Sequence, residues 1–392
     1  MQPTDQDTRA AGPLAAAVAE LDTPCLLLEE GRLDANLARM AARIAAAGVT
    51  LRPHLKTAKS VEIARRALPA PAGPATVSTL KEAEVFAGAG VTDMIYAVGI
   101  APAKLPRVQA LRRAGVDIAV IADSPQQAAA VAAASQAQGV PVPALIEIDC
   151  DGKRSGLRPD DAAGIAAVGA TLAQGAELRG VLTHCGGSYG FAGAAALEAC
   201  AEEERAAAMA AADALRAASL PCPVVSVGST PTAFHGRGFA GITEVRAGVY
   251  MFFDLVQAGV GACTVDDIAV SVLATVIGRQ ARRGWLIVDA GWMALSRDRG
   301  TAAQAVDQGY GLVCDLDGRP HTDLVVTEAS QEHGIVAVRP GSTAAVPDLP
   351  IGAKVRILPN HACATAAQHA GYFVVRAGSD RVHGYWPRFG GW

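Results

Sequence analysis

The sequence predicts an α/β protein, a (β/α)8 TIM-like barrel followed by a mainly antiparallel β domain. Three observations predict it. The chain has 392 residues, and at roughly 150 residues per domain that length holds two domains, or one barrel of about 250 residues with an attachment. From Val49 to Gly248, short apolar runs alternate with longer alanine-rich stretches of helical character. After Gly248 the long helical stretches stop, and apolar runs follow one another across Gly, Pro and Asp turns.

In the first region the apolar runs are Val49–Leu55, Ala75–Ser78, Met94–Val98, Ile118–Ile121, Ala144–Ile148, Gly180–Thr183, Val224–Val227 and Thr243–Val245. Short apolar runs bounded by turn residues read as buried parallel strands. Val61–Leu68, Lys104–Ala114, Pro125–Gln138 and Ala194–Ala218 read as helices between them. Eight such strands close naturally into a barrel, with an open doubly wound sheet as the alternative. In the second region Ile268–Gly278, Gly284–Val288, Gly311–Val313, Leu324–Glu328, Gly334–Val338, Lys354–Leu358 and Tyr372–Arg376 are β-type runs. The expected boundaries are 25–250 for the barrel and 251–392 for the β domain, with residues 1–24 open to joining the latter.

Composition removes several function classes. Hydrophobic residues make up 51% and charged residues 18%, below the roughly 25% charge typical of soluble chains, so disorder and fibrous architecture are excluded. A net charge of −4 argues against a nucleic-acid partner, which needs a basic footprint. No apolar run reaches the 18 or so residues of a membrane span. Gly12–Ala19 imitates a short signal-peptide core, but Asp5 and Asp7 precede it where such a peptide carries positive charge. The eight cysteines are scattered singly with no CxxC, which predicts mostly free thiols in a cytoplasmic enzyme.

Three stretches could carry chemistry. Lys56, one of six lysines, ends Arg52-Pro-His-Leu-Lys-Thr57 at the end of the first barrel strand, on the face where barrel active sites gather. Strand alternation places Arg52, His54 and Lys56 on one side. Neighbouring charge and burial there would lower the lysine's pKa and make it nucleophilic, although position alone suits a surface lysine equally well. Ser226-Val-Gly-Ser-Thr-Pro-Thr232 follows the seventh barrel strand, where barrels bind phosphate; a capped helix start is the alternative. In Pro359-Asn-His-Ala-Cys-Ala-Thr365, His361 and Cys363 are two apart. On an extended segment they would share a face and offer a divalent metal an imidazole and a thiolate, although HxC alone more often marks packed residues. His333 and His184 are further candidates without a spacing argument. Two apparent motifs fail: Gly236-Arg-Gly-Phe-Ala-Gly241 precedes a strand instead of following one, and Gly152-Lys-Arg-Ser155 lacks the first P-loop glycine because position 147 is Glu.

Together these stretches resemble the fold-type III pyridoxal phosphate enzymes, the alanine racemase-like barrel group, and within it the D-serine dehydratase and D-threonine aldolase family. Asp22-Thr-Pro24, Arg52–Thr57, Glu147-Ile-Asp149, Thr183-His-Cys-Gly186 with Tyr189, Gly228-Ser-Thr-Pro231 and Pro359–Cys363 match its pattern in order, over nearly the whole chain. Val77–Glu84 and Asp289–Met293 extend the likeness.

The resemblance implies a cofactor, pyridoxal 5'-phosphate, bound covalently through Lys56, which would also remove the substrate's Cα proton. Gly228, Ser229 and Thr230 would hold the phosphate, Tyr189 would sit beside the pyridine nitrogen, and Arg154 and Thr183 would line the ring. His361 and Cys363 would bind a divalent metal, whether zinc, manganese, cobalt or magnesium. The implied reaction is β-elimination from a 3-hydroxy-D-amino acid, first of all D-threo-3-hydroxyaspartate and then D-serine or D-threonine, giving a 2-oxo acid and ammonia. An aldolase that cleaves Cα–Cβ is the main alternative. A racemase would leave the metal pair without purpose, and a non-enzymatic pyridoxal phosphate-binding protein would leave residues 260–392 unexplained. The resemblance also implies a homodimer.

Overall fold

The computed structural model describes residues 16–392, so residues 12–15 of the N-terminal apolar stretch lie outside it. The described chain divides into two compact units. One holds residues 38–56, 64–250 and 391–392; the other holds 16–37, 57–63 and 251–390.

Strand β1 (Cys25–Glu29) belongs to the second unit, and the barrel of the first begins with β2 (Thr50–Pro53). It continues through β3 (Ala75–Val77), β4 (Asp93–Gly99), β5 (Asp117–Ala122) and β6 (Pro143–Ile148). β7 (Glu177–Thr183), β8 (Val224–Val227) and β9 (Glu244–Ala247) complete it. These are the eight strands read from the sequence. All neighbours run parallel, and β2 pairs with β9 from Thr50↔Glu244 to Pro53↔Ala247. The remaining seam, between β2 and β3, is joined by the bridge His54↔Thr76, so the sheet curls into a ring and the open-sheet alternative fails. Ile95, Ala119, Ile121, Leu145 and Leu182 form one buried cluster across β4 to β7.

The helices follow local rules. Pro125–Gln138 starts from Ser124, whose hydroxyl accepts from the Gln127 amide, and stops at Gly139 in the left-handed conformation. Ala194–Ala217 buries Leu197, Cys200, Ala201, Glu204, Ala208, Ala211 and Leu215, a stripe at spacings of three and four. Two crossover helices escaped the sequence pattern, Leu80–Gly88 and Ala162–Ala173. The first is short and the second is apolar on nearly every face, so neither shows a clear period.

In the second unit, β10 (Val270–Gln280), β11 (Trp285–Val288), β12 (Leu312–Cys314), β13 (Pro320–Ala329), β14 (Gly334–Val338) and β15 (Lys354–Leu358) pair in the order β10-β11-β14-β13-β12-β15-β10. That is a closed six-stranded antiparallel barrel. β1, β16 (Gly371–Val375) and β17 (Val382–Pro387) extend it from β10. β1 is antiparallel to β10 and parallel to β16. All five residues of β1 are buried, and a continuous apolar run suits a barrel strand and a strand covered on both faces equally. Residues 16–24 lie in the same unit: Val18 and Leu21 pack with Leu27, Leu273, Val375 and Val382. Among the described residues, no helix is long and apolar enough to cross a membrane.

The β2/β9 seam encloses charge. Arg52 donates through Nε to Glu244 (2.7 Å) and through Nη1 to Asp93 (2.7 Å), and Glu244 also accepts from Ser226 (2.7 Å). Arg52 and Glu244 are both buried. Removing one partner of such a pair strands the other in a low-dielectric interior. Glu244→Ala should therefore destabilise the barrel by roughly 3 kcal/mol or more, read as a lower denaturant midpoint by circular dichroism; an unchanged midpoint would show that Asp93 alone suffices.

Candidate active site

All the barrel residues singled out in the sequence lie at or beyond the C-terminal ends of strands. Lys56 stands in the turn after β2, Arg154 after β6, Thr183 ends β7, Tyr189 follows it, and Gly228–Thr230 follow β8. Lys56 is half-buried, and its charge acts on His54 together with that of Arg246. Burial first, then these charges, hold His54 well below the ordinary imidazole pKa, so its ring is neutral. One expectation fails here: Arg52 is not a free cation beside Lys56, because Glu244 and Asp93 neutralise it.

The second stretch is a strand-to-helix turn with a rigid frame. Gly228 has φ +135°, and a Cβ there would lie 2.1 Å from the Arg246 carbonyl oxygen, so only glycine fits. Ser229 caps Thr230–His235 by accepting from the Thr232 amide (3.2 Å), so the capped helix start is realised. The Ser229 hydroxyl also bonds that of Ser188 (2.9 Å), and His184 Nδ1 bonds the Gly228 carbonyl (2.7 Å). Glu204 accepts from the amides of Cys185 (2.8 Å) and Gly228 (3.2 Å). The Thr183–Tyr189 loop and the Gly228–Thr230 turn are thus pinned to each other and to one helix.

Within that loop the His184 and Tyr189 rings lie 6.2 Å apart. Burial and then the charge of Arg154 push His184 down to about 3. The Arg154 side chain is exposed, near Gly186. Thr183 spends its hydroxyl on the Ile148 carbonyl (2.8 Å). Six of the eight cysteines are free thiols, while Cys185 and Cys200 face each other with sulfurs 2.50 Å apart, a pairing the sequence did not suggest.

In the second unit, the segment around His361 is not extended as its sequence implied. His361 caps a short helix, Ala362–Ala366, and Cys363 is that helix's second residue. The reason is that the flanking backbone is held from outside. Asp254, itself the cap of Leu255–Val260, accepts from the Ala362 amide (2.9 Å). Asn360 donates to the Gly309 carbonyl (2.6 Å) and accepts from Thr301 (2.7 Å). The turn still brings the pair together, since Cys363 lies within hydrogen-bond reach of His361. His361 Nδ1 bonds Asp298 (2.6 Å), which leaves Nε2 as the nitrogen that could hold a metal. Burial opposes a charge on His361, but the bonds to Asp298 and Cys363 outweigh it and raise the group to about 11. The imidazole, the thiol and the carboxylates of Asp298 and Asp254 thus act on one another within one cluster. Cys363 also lies 3.4 Å from the hydroxyl of Thr57, the residue after Lys56.

The chain matches the alanine racemase N-terminal domain family over residues 28–256 and the serine dehydratase domain family over 269–375. It belongs to the fold-type III pyridoxal phosphate family. Among curated relatives, it is 54% identical to the D-threo-3-hydroxyaspartate dehydratase of Delftia sp. strain HT23, covering 95% of this chain and 98% of that one. The solved structure of that enzyme superposes with a TM-score of 0.92 at 53% identity, over 96% of this chain and all of the other. A histidine-to-alanine and a cysteine-to-alanine mutant of it, two positions apart, match equally well, the latter in a metal-free form. A D-threonine aldolase from Filomicrobium marinum matches at 28% identity and a TM-score of 0.81, over 96% of this chain and 97% of that one.

The residues present fit the family's cofactor. His54 Nδ1 and the Tyr250 hydroxyl, both at strand ends of the barrel, are buried without a partner, a cost of about 1–3 kcal/mol each that a polar ligand would relieve. The metal pair also fits, with Asp298 orienting His361 as carboxylates orient ligating imidazoles. A second group of ligating type, Cys150, Asp151 and Cys185 within 4.8 Å of one another, is less ready. Burial pushes Cys150 up to about 12, Asp151 accepts from the Gly187 amide, and Cys185 faces Cys200.

Sequence reasoning missed Glu204, Arg246, Asp254 and Asp298. Glu204 was the most findable, a carboxylate on the apolar stripe of a long helix. His333 is exposed and joins no cluster. Asp298→Asn should weaken metal binding by about 10- to 100-fold while leaving the fold unchanged, measured by metal titration of the metal-stripped protein. Equal affinity in the variant would reduce Asp298 to a surface partner.

Proposed function

We propose that the protein is a pyridoxal phosphate- and divalent metal-dependent lyase that dehydrates 3-hydroxy-D-amino acids, D-threo-3-hydroxyaspartate first among them, to a 2-oxo acid and ammonia. The observation that carries this is the His361–Cys363 pair. Its two-residue spacing is that of the two mutated positions in the Delftia dehydratase, and the cysteine mutant there is metal-free.

In this reading Lys56 anchors the cofactor, Gly228, Ser229 and Thr230 receive its phosphate, and Tyr189, Arg154 and Thr183 border the ring. The bound cofactor supplies an electron sink at the substrate's Cα, and the metal a Lewis acid toward the β-hydroxyl. Lys56 takes the Cα proton through Nζ. His54 and His184, both held neutral, add no charge that would repel a protonated lysine. Glu204 and Ser188 keep the Tyr189 loop registered on the phosphate turn. His361 and Cys363 place the metal, and Asp298 fixes the imidazole so that Nε2 faces it. Loss of the hydroxyl as water leaves an enamine, which tautomerises and hydrolyses to the oxo acid and ammonia. We further propose a cytoplasmic homodimer. The six free thiols support the compartment, and family resemblance supports the dimer.

The test is to incubate the holoenzyme with D-threo-3-hydroxyaspartate, D-serine and D-threonine and identify the products. Ammonia and oxo acid are expected, fastest from the first, with turnover abolished in Lys56→Ala. Exhaustive chelation should abolish dehydration while the cofactor's absorption persists, and a divalent ion should restore it. Glycine with an aldehyde would mean an aldolase instead. Full activity without metal would sink the role given to His361 and Cys363.

A further inference from the structure

A substrate with a second carboxylate needs a cation for it, and the sequence's 28 arginines offered no choice. The structure narrows it. Of the buried arginines, Arg52 holds two carboxylates, Arg246 is taken up by the Ser226 hydroxyl and the Thr183 carbonyl, and Arg356 by the Ser271 hydroxyl. Arg297, next to the His361 partner Asp298, is exposed and stacks 4.5 Å over the Trp292 ring. Arg388 differs. It is half-buried, its Nε is buried without a hydrogen-bond partner, and no carboxylate among the described residues pairs with it.

Its position is set by three successive residues that follow Lys56. Thr57 lies against Cys363 (3.4 Å), the Ala58 carbonyl accepts from the Tyr372 hydroxyl (2.6 Å), and the Lys59 carbonyl accepts from the Phe389 amide (3.0 Å). Arg388 is the residue before Phe389, its own amide is bonded to the Ala370 carbonyl (2.8 Å), and its side chain reaches the Tyr372 hydroxyl. Tyr372 senses the charges of both Cys363 and Arg388. Consecutive Cα atoms are only about 3.8 Å apart, so the Arg388 guanidinium, which has no carboxylate partner among the described residues, and the Cys363 thiol serve neighbouring points of one short segment.

We propose that Arg388 binds the side-chain carboxylate of the substrate and so makes the enzyme selective for 3-hydroxyaspartate over D-serine and D-threonine. This rests on the function proposed above. The hydroxyl directed to the metal and the side-chain carboxylate are carried by the same carbon, Cβ, so a cation held on the same segment as Cys363 is placed for that group and not for the α-carboxylate. A guanidinium, with its planar fork of donors, matches a carboxylate bidentately as an ammonium cannot. Arg388 is thus a specificity-determining residue, with no part in proton transfer.

The experiment compares wild type, Arg388→Lys and Arg388→Gln, all checked by circular dichroism and metal content. For D-threo-3-hydroxyaspartate, kcat/KM should fall roughly 30- to 1,000-fold in the glutamine variant, mainly through KM, with the lysine variant in between. For D-serine the fall should be less than about threefold. A second arm uses calorimetric binding of D-aspartate and D-alanine, which lack the leaving hydroxyl. Arg388→Gln should weaken D-aspartate binding and spare D-alanine. Parallel losses on both substrates, or on both ligands, would overturn the proposal in favour of a structural or α-carboxylate role, and so would no loss at all. Wild type that binds D-aspartate through Arg388 but dehydrates nothing would refute the proposed function and leave this assignment standing.

Discussion

The buried ion pair between Arg52 and Glu244 is the constraint from which the barrel site follows. It spans β2 and β9, the first and last strands of the parallel ring, whose registers meet at Thr50↔Glu244. Burying two opposite charges is expensive unless their geometry is satisfied, so a slip of β2 along β9 would break a charged contact as well as backbone bonds. The register of β2 fixes where the chain leaves the barrel, and therefore where Lys56 stands. The same glutamate accepts from Ser226 on β8, and Arg246 on β9 reaches the Ser226 hydroxyl and the Thr183 carbonyl. Charge inside the ring thus positions the ends of β2, β7, β8 and β9, the strands that carry Lys56, the Tyr189 loop and the Gly228 turn.

The loops at these ends are rigid for a second reason. Glu204 is a buried carboxylate whose ordinary solvation is replaced by backbone amides of Cys185 and Gly228. An unsatisfied buried carboxylate would cost far more than an unmade surface bond, so the helix, the loop and the turn hold one another. Gly228 completes the arrangement: its positive φ and the 2.1 Å approach that a Cβ would make leave no room for another residue.

The His361–Cys363 pair shows how polar anchoring reshapes a short segment. Two residues of an HxC stretch would share a face if extended, and the same two are brought together on a helical turn because Asp254 and Asn360 fasten the backbone on either side. Burial pushes Asp254 up to about 6, with the charge of His361 opposing. A cation at His361 and Cys363 would lie among acids and favour their charged forms, so the cluster gains from the ion as the ion gains from the cluster. Dehydratase and aldolase relatives share this scaffold.

The sequence by itself determined the architecture and the family. Eight apolar runs became eight parallel strands because strand period, turn residues and helix lengths are local properties, and Lys56, the Gly228 turn and the His361–Cys363 pair were visible as short motifs. It also gave the break near residue 250, where long helices stop. It did not reveal that β1 pairs with β10 and β16, since an apolar run buried on both faces carries no mark of its partner. Nor did it show that Arg52 is neutralised, that the HxC segment is helical, that Glu204 ties two loops, or that Asp298 joins the His361 turn. Each of these depends on residues tens to hundreds of positions apart meeting in space, as Asp298 meets His361 across 63 residues and Thr57 meets Cys363 across 306. Local sequence sets which groups are present; the pairing of their charges is settled only when folding removes water from between them.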